Sequence, residues 1–188
     1  PTSTLVGGNW TTTGGTIYVA PSDKLVASYS ASDIRLPVYI GNAGGNNYVN
    51  KFYTSSRGGR VVDMKAARTA EMYLIRAEAN ARKATPNILA GAADLNFLRS
   101  MRITGYVNQV FATATDLVNG VMDERFKELA FEGFRFFDLK RNGLPVQRLA
   151  SDANAAWQTL AAGSPKFVLP IPASEILVNP NMVQNPSY

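Results

Sequence analysis

The chain has 188 residues, 46% of them hydrophobic, enough to bury one good core, and it contains neither Cys nor His. The missing residues exclude disulfides, thiolate nucleophiles, His-based triads and imidazole metal ligands, so any metal site would be all oxygen and no cofactor is expected. The net charge of +5 comes from 19 Lys and Arg spread along the chain without a dense basic block or a nucleic-acid motif, which argues for a solvated surface rather than a nucleic-acid partner.

No apolar run approaches the roughly 20 residues that span a bilayer. Pro1 to Trp10 shows no charged segment followed by an apolar one, and there is no initiator Met, so any targeting signal is expected upstream. Residues 1–60 are rich in Gly, Asn, Thr, Ser and Tyr. Gly-Gly pairs at Gly7-Gly8, Gly14-Gly15, Gly44-Gly45 and Gly58-Gly59 alternate with short apolar runs, Ile17-Tyr18-Val19 and Pro37-Val38-Tyr39-Ile40, which predicts short strands and long loops. This third is too polar to form a large core alone, and its interleaved aromatics argue for an ordered surface packed on the helices that follow.

Helical periodicity governs residues 61–142. Ala66, Ala70, Tyr73, Ala77 and Ala81 form a small-residue stripe that admits a close neighbour. Thr85 is expected to cap a second helix with Pro86 at its first position, running to about Arg102 and carrying Leu89, Ala92, Ala93, Asn96 and Leu98, with Gly105 beyond it. Together the two helices predict an αα-hairpin. A third helix is expected from Thr115 or Asp116 to about Glu132, with Val118, Met122, Phe126, Leu129 and Ala130 on one face. Gly133 closes it, and Phe134 to Arg141 reads as a shorter helix. In residues 143–188 the prolines of Pro170-Ile171-Pro172 and Asn179-Pro180 exclude a central strand or long helix, so an ordered irregular segment is predicted.

Several ordered motifs resemble the SusD/RagB family. They are Arg68-Thr69-Ala70-Glu71-Met72-Tyr73-Leu74-Ile75-Arg76-Ala77-Glu78-Ala79, then Leu95-Asn96-Phe97-Leu98-Arg99, then the run from Asp123-Glu124-Arg125 through Gly133-Phe134-Arg135 to Leu139-Lys140-Arg141. Leu169-Pro170-Ile171-Pro172 and the terminal Gln184-Asn185-Pro186-Ser187-Tyr188 continue the pattern, with Ser187 where the family usually has Gly. Ser32-Asp33-Ile34-Arg35 and Lys51-Phe52-Tyr53 match more loosely. The resemblance implies a mainly α fold of tetratricopeptide-like helix pairs with a loop-rich, short-stranded ligand-binding part, of which this chain is the C-terminal portion. It also implies a non-catalytic lipoprotein at the outer-membrane surface, anchored only through a missing N-terminal lipid. Such a protein hands oligosaccharides, or in some branches peptides, to a SusC-like TonB-dependent transporter in polysaccharide utilisation of the Bacteroidetes type.

Glu124, Glu128 and Glu132 lie four apart on one helical face, and paired carboxylates are what glycoside hydrolysis uses. Arg125, Arg135 and Arg141 stand close in sequence, so structural ion pairing is the favoured reading over acid/base catalysis or a cation site. Sugar recognition instead calls for flat aromatic faces beside planar polar groups, and residues 1–60 hold both. Trp10 after Asn9 is the leading candidate, with Tyr18, Tyr39, Asn46 and Tyr48 as further ligand contacts; Tyr53, Asn42, Asn47 and Asn50 stand near them, while Trp157 reads as core. Two alternatives remain: a helical-repeat scaffold for peptides or proteins, and a carboxylate-based glycoside hydrolase.

Overall fold

In a computed structural model, the structure describes residues 12–13, 16–17, 19–52, 54–55, 58–59 and 65–188. Turn and cap chemistry sets its first elements. Ser22 accepts from the Leu25 amide and opens α1, Asp23–Ser28, a helix that the sequence did not announce. Pro37-Val38-Tyr39, expected as a strand, forms the helical turn α2, Leu36–Tyr39, because Pro37 sits in its first turn where no N–H is needed. Three antiparallel hairpins follow the Gly-rich pattern: β1 (Thr12–Thr13) with β2 (Thr16–Ile17), β3 (Ile40–Ala43) with β4 (Asn46–Val49), and β5 (Thr54–Ser55) with β6 (Gly58–Gly59). In the second hairpin Gly44 and Gly45 both have positive φ, 58° and 85°, as a two-residue turn with a right-handed strand twist requires.

The helices make the body. In α3, Thr69–Arg82, the buried face is Ala70, Leu74, Ala77 and Ala81. Leu74 joins the predicted small-residue stripe, and Ala66 lies before the helix start. In α4, Ile88–Ser100, the cap is Asn87, whose side chain accepts from the Ala90 amide, and not Thr85. Asn87 is the residue whose side chain reaches an orphan amide of the first turn, and its own N–H closes the connection on the Asn80 carbonyl (2.9 Å). α3 and α4 run antiparallel: Arg76 pairs with Asp94, and Tyr73 stacks on Phe97 further along. Gly91 makes the approach possible, since a Cβ there would lie 2.8 Å from the Ala77 carbonyl oxygen and 2.7 Å from Leu117 Cδ2. Leu89, one of the positions named for this helix, is exposed.

Thr113 and Asp116 form a capping box at the start of α5, Ala114–Glu128. Leu117 and Val121 bury against Leu74, Leu95 and Leu98, completing a core shared by α3, α4 and α5. A second cluster, Leu25, Tyr29, Tyr39, Ile40 and Ala130, with Phe126 and Phe131 against it, docks the loop-rich part on the end of α5. Asp33 and Ile103 form an antiparallel bridge that ties this part to the segment after α4.

The chain divides into two compact units at Glu132/Gly133. The second begins with α6, Phe134–Arg141, as expected, and continues through β7 (Val146–Gln147), paired with β8 (Thr159–Leu160), to α7, Ala173–Val178. Trp157, expected as core, is 70% exposed. Pro170 and Pro172 cannot donate to a ladder, and a side-chain amide serves instead. Gln184 accepts from the Ile171 amide (2.8 Å) and donates to its carbonyl (2.9 Å), while Asn185 donates to the Leu169 carbonyl. Ser187 stands at φ 77°, the left-handed region that favours the family's glycine. The architecture is therefore mainly helical, with helix pairs and short strands.

Candidate functional site

Two polar constellations arise in the first unit, one sealed and one open. Glu124, Glu128 and Glu132 fall on the same side of α5 and its end, where cations from four other segments converge. Arg35 Nη1 donates to Glu124 Oε1 (2.6 Å) and Glu128 Oε2 (2.9 Å), while its remaining guanidinium nitrogens hold both Asp33 oxygens (2.8 and 3.0 Å). Arg99 holds Glu124 Oε2 at 2.8 Å, with Lys127 at 3.3 Å. Arg102 forks onto Glu128 at 3.0 and 3.1 Å, and Arg68 bridges Glu128 and Glu132. Lys51 meets Glu132 Oε1 at 2.6 Å and donates to the Glu128 and Ala130 carbonyls, the orphan acceptors at the end of α5. Phe131 next to it sits at φ 66°, a strained value for an aromatic residue that the surrounding bonds hold in place.

These contacts decide between the readings of the acidic cluster. Glu124 and Glu128 are fully buried. Burial pushes both carboxyls up, but the charges and hydrogen bonds of Arg35, Arg99 and Lys127 on Glu124, and of Arg102, Arg35 and Arg68 on Glu128, outweigh it and leave both below the usual range. A general acid needs the opposite shift and an open face. The expectation of ion pairing holds, with a correction to the partners: cations from distant segments, Arg35, Arg68, Arg99 and Arg102, take the carboxylates, and Arg141 pairs with Asp138 in the second unit. Arg35 and Arg102 could not be chosen from spacing, because the contacts span 26 to 93 residues. Among the described residues no group of three or more acidic side chains is placed to hold a metal ion.

The open constellation is the β3–β4 hairpin. Ile40 pairs with Val49 on the buried face, and Asn42 with Asn47 further along that face, where Asn42 donates to Asn47 Oδ1 at 3.0 Å. The other face carries Asn46 and Tyr48, two residues apart, so the fold brings these two expected contacts together. Tyr48 lies across its partner Gly41, where a Cβ would meet the ring at 2.2 Å, and remains half-buried. At the tip, Gly45, Asn46 and Asn47 join Ile17, Ala20, Pro21 and Asp23 around an open cavity of about 570 Å³.

Tyr39 is placed differently. Its ring is buried in the second cluster, edge-on to Tyr29 and under the Lys51 ammonium at 4.0 Å, and Arg68 donates to its hydroxyl. Its apolar neighbours and the Asn50 amide on its carbonyl make it an anchor of the hairpin base. Trp10, Asn9, Tyr18 and Tyr53 lie outside the described residues. The cavity-lining residues that the sequence alone did not single out, Pro21 and Asp23, belong to the α1 start, whose signal was the Ser22 cap.

The family model described as the SusD family matches residues 44–188. The chain is similar to a solved SusD superfamily protein from Bacteroides thetaiotaomicron, at 29% identity and TM-score 0.78, covering 98% of this chain and 44% of that one. It is also similar to a SusD superfamily protein from Bacteroides vulgatus, at 29% identity and TM-score 0.70, with 89% and 38% covered. A candidate sugar binding protein from the same organism matches at 28% identity and TM-score 0.69, with 88% and 38% covered. The chain thus spans less than half the length of these structures. No curated protein matches it significantly.

Proposed function

Because the chain belongs to the SusD family, we propose that it is part of a non-catalytic glycan-binding protein of the outer-membrane surface that delivers oligosaccharides to a SusC-like TonB-dependent transporter. The observation that carries this reading is the contrast between the two constellations. The carboxylates suited to glycoside hydrolysis are sealed under arginines, while Asn46 and Asn47 line an open cavity at the hairpin tip and half-buried Tyr48 lies across Gly41 further along the hairpin. Planar amides match vicinal hydroxyls, and a half-open ring face matches the C–H surface of a pyranose. Trp10, Asn9 and Tyr18 stay proposed glycan contacts on residue chemistry alone. Membrane attachment falls to a lipid anchor in the longer protein; among the described residues no helix is long and apolar enough to cross a membrane.

Affinity electrophoresis through a panel of soluble polysaccharides tests the proposal. Retardation by a glycan that weakens in both Trp10→Ala and Asn46→Ala is the expected result. Absence of retardation with every glycan tested counts against glycan binding by this portion. Hydrolysis of a chromogenic glycoside, lost in Glu128→Gln, would overturn the non-catalytic reading. Co-purification of the full-length protein with its transporter checks the delivery step.

A further inference from the structure

A second cleft is lined by none of the residues invoked above for glycan contact. It has a volume of about 430 Å³, within the range of small-molecule sites. One wall is α5, which presents Asp116, Asn119, Asp123 and Lys127 at intervals of three or four residues. The other wall is the segment Ile103 to Phe111.

Both walls are fixed in advance. Asn96, buried on α4, accepts from the Tyr106 hydroxyl (2.6 Å) and from the Gln109 amide (3.0 Å), and it donates to the Gln109 carbonyl (2.9 Å). Arg99 forms the floor, donating to Gln109 Oε1 and to the Gly120 carbonyl at 3.0 Å. Gly120 makes room for the aromatic member, since a Cβ there would lie 2.7 Å from Phe111 Cε1. The Phe111 ring is therefore seated against the helix backbone, half-buried, with part of its surface facing the cleft.

Two polar side chains of the cleft are uncommitted. Asn119 and Asp123 are exposed and have no partner among the described residues, whereas Arg99, Gln109 and Asp116 are engaged within the protein. An amide and a carboxylate one turn apart, beside a seated aromatic ring, offer acceptors and donors next to an apolar face, while the neighbouring Lys127 ammonium is already paired with Glu124. That combination fits a neutral ring bearing adjacent hydroxyls. A bare cation lacks the clustered acidic ligands it would need, and an apolar peptide would leave the helix stripe unpaired. We propose that the cleft between Ile103–Phe111 and α5 is a second binding site, for one or two units of a neutral saccharide, independent of the β3–β4 hairpin.

The test is a titration of the 15N-labelled chain, followed through its amide resonances, with glucose, galactose, mannose, N-acetylglucosamine, maltose and cellobiose. Saturable shifts at the amides of residues 106–111 and 116–123 are expected with at least one sugar. Phe111→Ala and Asp123→Ala should each weaken that binding by about tenfold or more, while Asn46→Ala leaves it unchanged. Asp123 is exposed, so its variant keeps the fold even if loss of the Phe111 ring loosens the segment. No shift at these amides with any of the sugars, or shifts that persist in both variants, overturns the proposal. Shifts confined to residues 41–49 overturn it while supporting the hairpin reading.

Discussion

Arg35→Met isolates what the buried charge cluster contributes. Arg35 is 2% exposed and binds three carboxylates, but they do not depend on it equally. Without it, Glu124 retains Arg99 and Lys127, and Glu128 retains Arg68 and Arg102. The carboxylate of Asp33, a residue itself 2% exposed, keeps only the backbone amide of residue 35 among its described bonds. The cost should therefore be that of stranding one buried charge, about 3–5 kcal/mol. Urea unfolding followed by circular dichroism measures it as a lower midpoint at unchanged slope. Arg35→Lys keeps the charge but not the planar fork that spans Asp33 and the two glutamates, so it should fall between the wild type and Arg35→Met. If the stranded Asp33 is the cause, adding Asp33→Asn to Arg35→Met should recover roughly half of the loss. A single-variant loss below about 1 kcal/mol, or a double variant less stable than Arg35→Met alone, refutes this account of the cluster.

Lys51 gives a pH dependence: burial first, opposed by its bond to Glu132, holds its ammonium at about 8 against the ordinary 10.5. Between those values the unfolded chain binds more protons than the folded one, so stability should rise with pH from about 8 to 10.5 relative to Lys51→Met, by on the order of 3 kcal/mol. Paired unfolding curves across that window check the sign, and a falling difference contradicts it. Gly91→Ala should lose about 1–3 kcal/mol despite the better helix propensity of Ala, because the added Cβ meets the Ala77 carbonyl; thermal unfolding reads the change. Ser187→Gly should stabilise the second unit by about 0.5–1 kcal/mol, by relieving a left-handed Ser, seen as slower hydrogen exchange at the Ile171 and Asn185 amides.

Legibility in the sequence followed the range of the interactions. Phe134–Arg141 and the Gly44-Gly45 turn were readable because their determinants are local: period, caps and φ. The Asn87 cap was misplaced onto Thr85 because both residue types suit a cap, and only the position of the orphan amides distinguishes them. The turn at Leu36–Tyr39 was missed because β-branched and aromatic residues beside Pro satisfy a strand pattern equally well. At the open site, Asn46 and Tyr48 were legible as chemistry, and strand alternation placed them on one face. Tyr39 shared that chemistry but is claimed by Lys51, Arg68 and Tyr29, none of which spacing could bring to it. The cleft beside α5 gave no signal, since Gly120 and Phe111 meet only after the chain has turned at Thr113.

The same long-range contacts explain why a scaffold would carry so many buried charges. Arg35 comes from the segment before the hairpin, Lys51 from just after it, Arg68 from the entry to α3, and Arg99 and Arg102 from the end of α4. All converge on α5 and its end, which carries no open chemistry there. Apolar side chains in their place would bury as well but would accept several arrangements, because dispersion has no direction. Forked arginines on fixed carboxylates accept few. The hairpin base, held between Tyr39 and Lys51, thereby acquires a defined position on a helical body, and its tip with Asn46 and Asn47, the proposed recognition surface, is left free. On this account the cluster contributes to binding through position alone. Weakening it should therefore lower glycan affinity in step with disorder of the hairpin, without changing which glycan is preferred.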